Sequence, residues 1–204
     1  MSLPTLKAQF DALLKLPSIS CTQPALDQSN LAVVEQLASW FETLGFSCRI
    51  QPIAGQQGKA NLIATLGSGP GGLVLAGHTD TVPCNPERWQ HDPFALTETD
   101  NRWYGLGSCD MKGSIACMFA AAERLADLPL KQPVYVTCTS DEEIGYGGAT
   151  AVAQRSELFR EMVAGESRGI IGEPTMLEVV YAHKGTTGLV ATSHGTASHS
   201  STTA

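Results

Sequence analysis

Two segments near the start of the chain show the hydrophobic spacing of helices. Within residues 3–16, apolar side chains recur at helical intervals and stop before Pro17, which predicts a helix packed against the core. The same spacing from Leu31 to Leu44 predicts a second helix, with Gly45 just past its end. Residues that commonly cap helices precede this second segment: Asp27, Ser29 and Asn30.

Short apolar runs bounded by turn residues predict the strands of a sheet. Residues 47–53 and 61–66 have this pattern and are separated by the turn-rich segment AGQQGKA. The segment DPFALTETDNRWYG has the alternation of a hairpin, and a further helix is predicted from Ile115 to Ala126, before Pro129. A continuous apolar run, typical of a strand buried on both faces, occurs at residues 73–76, and residues 134–139 and 169–172 are predicted to be further strands of this buried type.

This alternation of strands and helices predicts the fold class. We expect an α/β fold with a mixed, largely parallel central sheet flanked by helices. After residue 183 the chain becomes rich in Ser, Thr and Gly, which suggests that a second domain begins there.

Composition and charge exclude several classes of function. The chain has 204 residues, 43% of them hydrophobic, which is enough for one sizeable domain or one domain plus part of another. Its net charge of -7 argues against nucleic acid as a partner, because that affinity depends on clustered Lys and Arg. We find no apolar run long enough for a membrane span and no secretory signal. We therefore expect a cytoplasmic protein that binds neither nucleic acid nor membrane.

The six cysteines are predicted to be reduced, because none has the spacing of a CxxC motif and several lie in apolar runs. Cys109 has no base at a fixed spacing, so it is predicted to be a core residue rather than a nucleophile. His91 and His183 are predicted to make loop hydrogen bonds.

Metal-competent side chains follow the ends of the predicted strands and the hairpin. They are His78, Asp110, Glu142, Glu143 and Glu173. In open α/β sheets, ligands bind at the carboxyl ends of the strands, so these groups could converge at one edge. For His78 alone, a turn or capping role fits equally well. The set as a whole favours Zn²⁺ or a similar divalent ion, and so many carboxylates suggest two ions with one carboxylate between them.

Two spacings within this set indicate different roles for neighbouring acids. His78 and Asp80 are two positions apart in an extended segment, so the Asp80 carboxylate can hold the far ring nitrogen of a ligating histidine. Adjacent side chains diverge, so of Glu142 and Glu143 one would ligate and the other would handle protons. Acidic loops are usually solvated surface, but the glycine-rich residues 144–148 favour a site here.

Four motifs, in order along the chain, resemble the signature blocks of the zinc-dependent amidohydrolase and exopeptidase family. They are GHTDTVP at 77–83, GLGSCDMKG at 105–113, SDEEIGYGG at 140–148 and GEPT at 172–175. This family includes acetylornithine deacetylase, succinyl-diaminopimelate desuccinylase, carboxypeptidase G and aminoacylase. Within it, the segments ALDQSN, RW, DPF and AHKG look most like the bacterial acetylornithine deacetylase branch.

The resemblance implies two divalent metal ions per full-length subunit, Zn²⁺ or Co²⁺. His78 would bind the first ion, Asp110 would bridge both, Glu143 would bind the second and Glu173 would complete the first. A further histidine for the second ion would lie beyond Ala204.

The resemblance also implies the residues of the reaction. Glu142 would be the general base, which takes a proton from the attacking water and passes it to the leaving nitrogen, while Asp80 orients His78. Family members carry a cis peptide at the position between Asp110 and Met111. His199, in GTASHSS, would reach into the partner subunit's site and polarise the scissile carbonyl of the substrate.

The implied reaction is hydrolysis of the amide bond of an N-acyl amino acid. The favoured substrate is N²-acetyl-L-ornithine, which would give ornithine and acetate in arginine biosynthesis. Two alternatives stay open: a related deacylase or dipeptidase acting on succinyl-diaminopimelate or a small peptide, and a non-catalytic metal-binding fragment.

Family enzymes are much longer than this chain, which sets the expected domain organisation. We expect residues 1–183 to be the N-terminal part of a metal-binding catalytic domain. Residues 184–204 would begin a truncated α+β lid that serves dimerisation in a homodimeric full-length protein. The chain alone is then expected to be weak or inactive.

Overall fold

The structure is a computed structural model that describes residues 4–182, 184–185, 189–192 and 194. It divides into two units, residues 1–174 and residues 175–204.

The second unit contains a turn near its start. There the N–H of Glu178 donates to the carbonyl oxygen of Thr175 at 3.0 Å. Two histidines that the sequence singled out, His183 and His199, lie outside the described residues. The lid domain predicted from residue 184 onwards stays a prediction.

The first unit is built on a five-stranded sheet and a separate hairpin. The strands are β1 (Ser47–Pro52), β2 (Ala60–Leu66), β3 (Leu73–His78), β4 (Thr97–Thr99), β5 (Arg102–Tyr104), β6 (Val134–Thr139) and β7 (Arg168–Ile171). The sheet has the order β1-β2-β6-β3-β7, while β4 and β5 form the predicted antiparallel hairpin.

The central sheet is mixed, and its three neighbouring parallel strands end at the candidate site. The β6–β3 and β3–β7 pairs are parallel, whereas β2 is antiparallel to both β1 and β6. Four of the five strands therefore run in one direction and β2 alone is reversed. The carboxyl ends of β3, β6 and β7 consequently lie at one edge, which is where an α/β sheet binds ligands.

Helices cover both faces of the sheet, as the alternating strand residues require. They are α1 (Leu6–Leu14), α2 (Leu31–Thr43), α3 (Lys112–Ala126), α4 (Gly147–Arg155) and α5 (Glu157–Ala164). Leu62 and Val136 face the larger core with α1, α2 and α3. Ile63 and Tyr135 face the opposite way, toward Val152 of α4 and the residues of α5. The predicted α/β fold with a mixed sheet flanked by helices is confirmed.

Three expectations about local structure are wrong or incomplete. The helices α4 and α5 were not predicted. Strand β7 was predicted to be buried, but Ile170 and Ile171 are 56% and 72% exposed, because β7 pairs with β3 alone among the described residues. Asn30 does not cap α2 with its side chain, since its amide instead bonds to Ala60 and Thr79.

The cysteines are free, as predicted, but they are not all core residues. Cys138 is buried, whereas Cys109 and Cys117 are exposed. The expectation that Cys109 packs in the core is wrong, because it lies in the loop that leads to the partly exposed Asp110 carboxylate. None of the described helices combines the length and the apolar character that crossing a membrane would require.

Candidate metal centre

His78 is the last residue of β3 and forms the buried centre of the site, with only 2% of its side chain exposed. Its ring Nδ1 lies 3.0 Å from the backbone carbonyl oxygen of Asp80 and 3.5 Å from the Asp80 carboxylate. A carbonyl oxygen can only accept a hydrogen bond, so Nδ1 is the donor. In the neutral ring, this leaves the Nε2 lone pair free to bind a metal.

Two carboxylates face this Nε2, one from the loop before α3 and one from the segment directly after β7. Asp110 Oδ1 lies 3.0 Å from it and Glu173 Oε2 lies 3.7 Å from it. One ligand atom from each of the three residues lies within 4.8 Å of the others. Both carboxylates are partly open to solvent, with side-chain exposures of 45% and 43%. A nitrogen and two carboxylate oxygens in an open arrangement form a donor set that fits a catalytic divalent ion.

Asp80 is fully buried and joins two of the strand ends that form the site. Its carboxylate accepts hydrogen bonds from the backbone N–H groups of Glu142 and Glu143, both at 3.3 Å. Burial would raise the pKa of Asp80, but the hydrogen bond and charge of His78 prevail and lower it. An ionised Asp80 therefore orients the imidazole and the acidic loop together.

Glu142 and Glu143 follow β6 and form a second potential ligand group with His78, again within 4.8 Å. Burial, followed by repulsion from the Asp110 carboxylate, raises the pKa of Glu143 to about 7. Burial also raises the pKa of Glu142 and Glu173, with Asp110 adding to it in both cases. A cation among these acids would relieve this repulsion.

The pKa of His78 moves upward for the corresponding reason. Burial alone would lower the pKa of this imidazole, but the carboxylates of Asp80, Asp110 and Glu142 outweigh it and raise the pKa to about 9. A metal ion must displace that proton before it can bind Nε2.

The peptide bond between Asp110 and Met111 is cis, as the resemblance implied. Met111 is buried, and its sulfur accepts a hydrogen bond from the backbone N–H of His78 at 3.3 Å. The loop that carries Asp110 is thereby attached to the end of β3.

The structure brings together His78, Asp80, Asp110, Glu142, Glu143 and Glu173, all six of which were predicted from the sequence. His199, the seventh predicted residue, lies outside the described residues. Sequence reasoning missed Lys59 and Asn61, which are buried beneath the acidic loop. The available signal was the polar GKAN segment directly before the apolar part of β2.

Sequence comparison assigns the chain to a known group of proteins. The family model for "Peptidase family M20/M25/M40" matches residues 74–197. An acetylornithine deacetylase of Salmonella arizonae is 45% identical over 192 residues, which are 94% of this chain and 49% of that protein. The chain spans about half the length of the curated relatives it matches.

Solved structures show the same fold. Human carnosine dipeptidase 1 matches 81% of this chain and 37% of its own chain, with a TM-score of 0.66 and 20% identity. An M20 family metallo-carboxypeptidase from Sulfolobus solfataricus matches 71% of this chain and 32% of its own, with a TM-score of 0.58 and 25% identity.

Proposed function

The chain belongs to peptidase family M20/M25/M40, and on that premise we propose that the protein containing it is a metal-dependent hydrolase of N-acyl amino acids. One observation carries this proposal. Acidic groups from separate segments converge on a single buried imidazole, and its Nε2 faces Asp110 and Glu173.

The described residues supply ligands for divalent ions, and we assign two ions, Zn²⁺ or Co²⁺, to the whole protein. His78, Asp110 and Glu173 would hold the first ion. Asp110 and Glu143 would contribute to the second, together with a ligand from outside this chain. When bound, such ions polarise a substrate carbonyl and make water more acidic.

Glu142 is the group that moves protons in this proposal. Its carboxylate takes a proton from the attacking water and delivers that proton to the leaving nitrogen. Burial raises the pKa of Glu142, which brings it closer to the pH at which it must exchange a proton. Asp80 supports this role indirectly, because it holds the backbone N–H of Glu142 and the His78 ring.

The substrate that we assign is N²-acetyl-L-ornithine, with ornithine and acetate as products. The support is the 45% identity to a protein named acetylornithine deacetylase. A role in arginine biosynthesis, a homodimeric assembly in the cytoplasm and carbonyl polarisation by His199 rest on the sequence resemblance. The division into a catalytic domain at 1–183 and a lid from 184 onwards also rests on it.

The test uses the whole protein that contains this chain, loaded with Zn²⁺ or Co²⁺. Substitution of Glu142 by Gln keeps the size of the side chain and removes its basicity. We expect kcat for acetylornithine to fall by about 10²- to 10⁴-fold, the range that general acid–base catalysis supplies. Metal content, measured by atomic absorption, should stay unchanged.

The matched control is Glu123→Gln on the exposed side of α3, which should leave both kcat and metal content unchanged. Full activity of Glu142→Gln would refute the role of Glu142 as general base.

A panel of acetylornithine, succinyl-diaminopimelate and a dipeptide tests the substrate. If the wild-type protein prefers either of the last two, that substrate replaces acetylornithine in the assignment. No turnover of any of them with metal bound would favour a metal-binding protein.

A further inference from the structure

A buried lysine lies beneath the acidic loop and belongs to no part of the proposed chemistry. The side chain of Lys59 is only 4% exposed. Its ammonium lies 3.0 Å from Asp141 Oδ1, 2.9 Å from Asp27 Oδ1 and 3.3 Å from Ser20 Oγ. Lysine is almost never buried to this extent unless it is paired. These four residues therefore form a specific polar cluster, and one of them, Asp141, directly precedes Glu142 in the chain.

The reversed direction of β2 explains why Lys59 reaches this position. Strands β2 and β6 pair antiparallel, with Leu62 opposite Cys138. When this register is extended by three residues, backward from Leu62 and forward from Cys138, Lys59 lies opposite Asp141. The start of β2 therefore lies at the carboxyl end of β6, where the acidic loop begins.

Asp141 connects this pairing to the site. It directly precedes Glu142, its side chain is 3% exposed, and its backbone has a φ of +57°. Aspartate tolerates this left-handed conformation better than most residues. The Ser20 hydroxyl also donates to the Asp141 carboxylate at 2.7 Å, while the Ser20 N–H donates to the Thr81 carbonyl beside Asp80. The turn that aims the acid pair is thus fixed from two sides.

Asn61, two residues after Lys59, holds both ends of the same loop. Its Oδ1 accepts the backbone N–H of Ser140 at 3.1 Å, and its Nδ2 donates to the carbonyl oxygen of Gly148 at 3.0 Å. The beginning of β2 therefore forms the support on which the loop from Ser140 to Gly148 rests.

We propose that Lys59, acting through Asp141, is a positioning residue that holds Glu142 and Glu143 in place relative to His78. Without the ammonium, the buried Asp141 carboxylate loses its cation and the loop loses its orientation. The part of this inference that concerns catalysis by Glu142 rests on the proposed function. The effect on Glu143 can be measured as metal affinity alone.

The experiment uses the whole protein containing this chain and compares Lys59→Met with the wild type. Co²⁺ affinity is measured by competition with a chelating indicator, and kcat and KM are measured with acetylornithine. We expect Co²⁺ affinity and kcat each to fall by about 10- to 100-fold, as for other groups that orient metal ligands, with KM nearly unchanged. Lys59→Arg, which retains the charge, should recover most of both losses.

Two further variants separate positioning from loss of stability. Val34→Ala removes buried volume from α2 without removing a charged or hydrogen-bonding side chain, and serves as the control for destabilisation. Asp141→Asn keeps the shape and the tolerance for positive φ but removes the ion pair, so it carries the test if Lys59→Met does not fold. Both affinity and kcat are compared at equal folded fractions, established by circular dichroism.

The outcomes distinguish this inference from the proposed function. The inference is overturned if Lys59→Met and Asp141→Asn keep wild-type Co²⁺ affinity and kcat, or lose no more than Val34→Ala. If the wild type cleaves no N-acyl amino acid but both variants weaken Co²⁺ binding, the positioning role stands and the proposed function fails. If the wild type is active and neither variant changes Co²⁺ affinity or kcat, the proposed function stands and the positioning role of Lys59 fails.

Discussion

Protons held by the metal-free site should make metal affinity rise steeply with pH. Burial, followed by the Asp110 carboxylate, raises the pKa of Glu143 to about 7. Burial alone would lower the pKa of His78, but the surrounding carboxylates raise it to about 9. At pH 7 the imidazole is therefore almost fully protonated and Glu143 is about half protonated. In the assignment above the first ion binds His78 and the second binds Glu143, so loading both ions requires both groups deprotonated and releases about 1.5 protons from these two residues.

The slope of the logarithm of the overall affinity for both ions against pH equals the number of protons released. About 1.5 protons corresponds to an increase in affinity of about thirtyfold per pH unit near neutrality. In Glu143→Gln the contribution of that residue disappears, so the slope should fall to about 1, or about tenfold per pH unit. Zn²⁺ competition titrations of the whole protein between about pH 6 and pH 8 give the slope. Calorimetry in two buffers of different ionisation enthalpy counts the protons directly.

The control for this measurement is Glu123→Gln, whose slope should match that of the wild type. A wild-type slope below about 0.5 would refute the reasoning, as would an unchanged slope in Glu143→Gln.

The raised pKa of His78 also determines how the stability of the metal-free protein changes with pH. The stabilisation from His78 is fully present below its unfolded pKa of 6.5 and is lost as pH rises through about 9. Thermal melting of the metal-free protein should therefore show lower stability at pH 9 than at pH 6.

Two further variants test the packing and the loop. Phe119 is fully buried and packs edge to face against Phe41, with the ring centroids 5.1 Å apart. Phe119→Ala should therefore lower the free energy of unfolding by about 3–5 kcal/mol in urea titrations. A loss below about 1 kcal/mol would contradict this packing. In Gly148→Ala, the new Cβ would contact the Ser140 carbonyl oxygen and lie 2.5 Å from Asn61 Oδ1. We expect about 1–3 kcal/mol of destabilisation and weaker Co²⁺ binding. Gly169→Ala, whose Cβ meets nothing within 4 Å, should show neither effect.

Features encoded by local periodicity could be predicted from the sequence. The helices α1, α2 and α3 repeat apolar residues at helical spacing, and the strands β3 and β6 each begin with a short apolar run, at residues 73–76 and 134–136. The candidate ligands could be found as well, because His78 ends β3 and Glu142 and Glu143 closely follow β6. Parallel strands then bring these ends to a common edge without any further information.

Features that depend on distant partners could not be predicted in the same way. The partner of Lys59 is set by the register of β2 against β6, and nothing near Lys59 in the sequence indicates it. Strand β7 has the composition of a buried strand, yet its exposure depends on whether a neighbour covers it. Helix α4 begins with two glycines, Gly147 and Gly148, which are poor helix formers, so tertiary packing rather than propensity sets its position.

The position of β6 in the sheet has a consequence for the order of folding. Strands β2 and β3 are consecutive along the chain, yet β6 lies between them. The β1–β2 hairpin can form from local contacts, whereas β3 meets its sheet neighbours β6 and β7 only when those later segments arrive. The imidazole at the end of β3 therefore faces no acid pair in any early intermediate that lacks β6. Binding of the second ion, to which Glu143 contributes, would report during refolding that β6 has inserted correctly, and it would separate the native sheet from collapsed forms that contain the same helices.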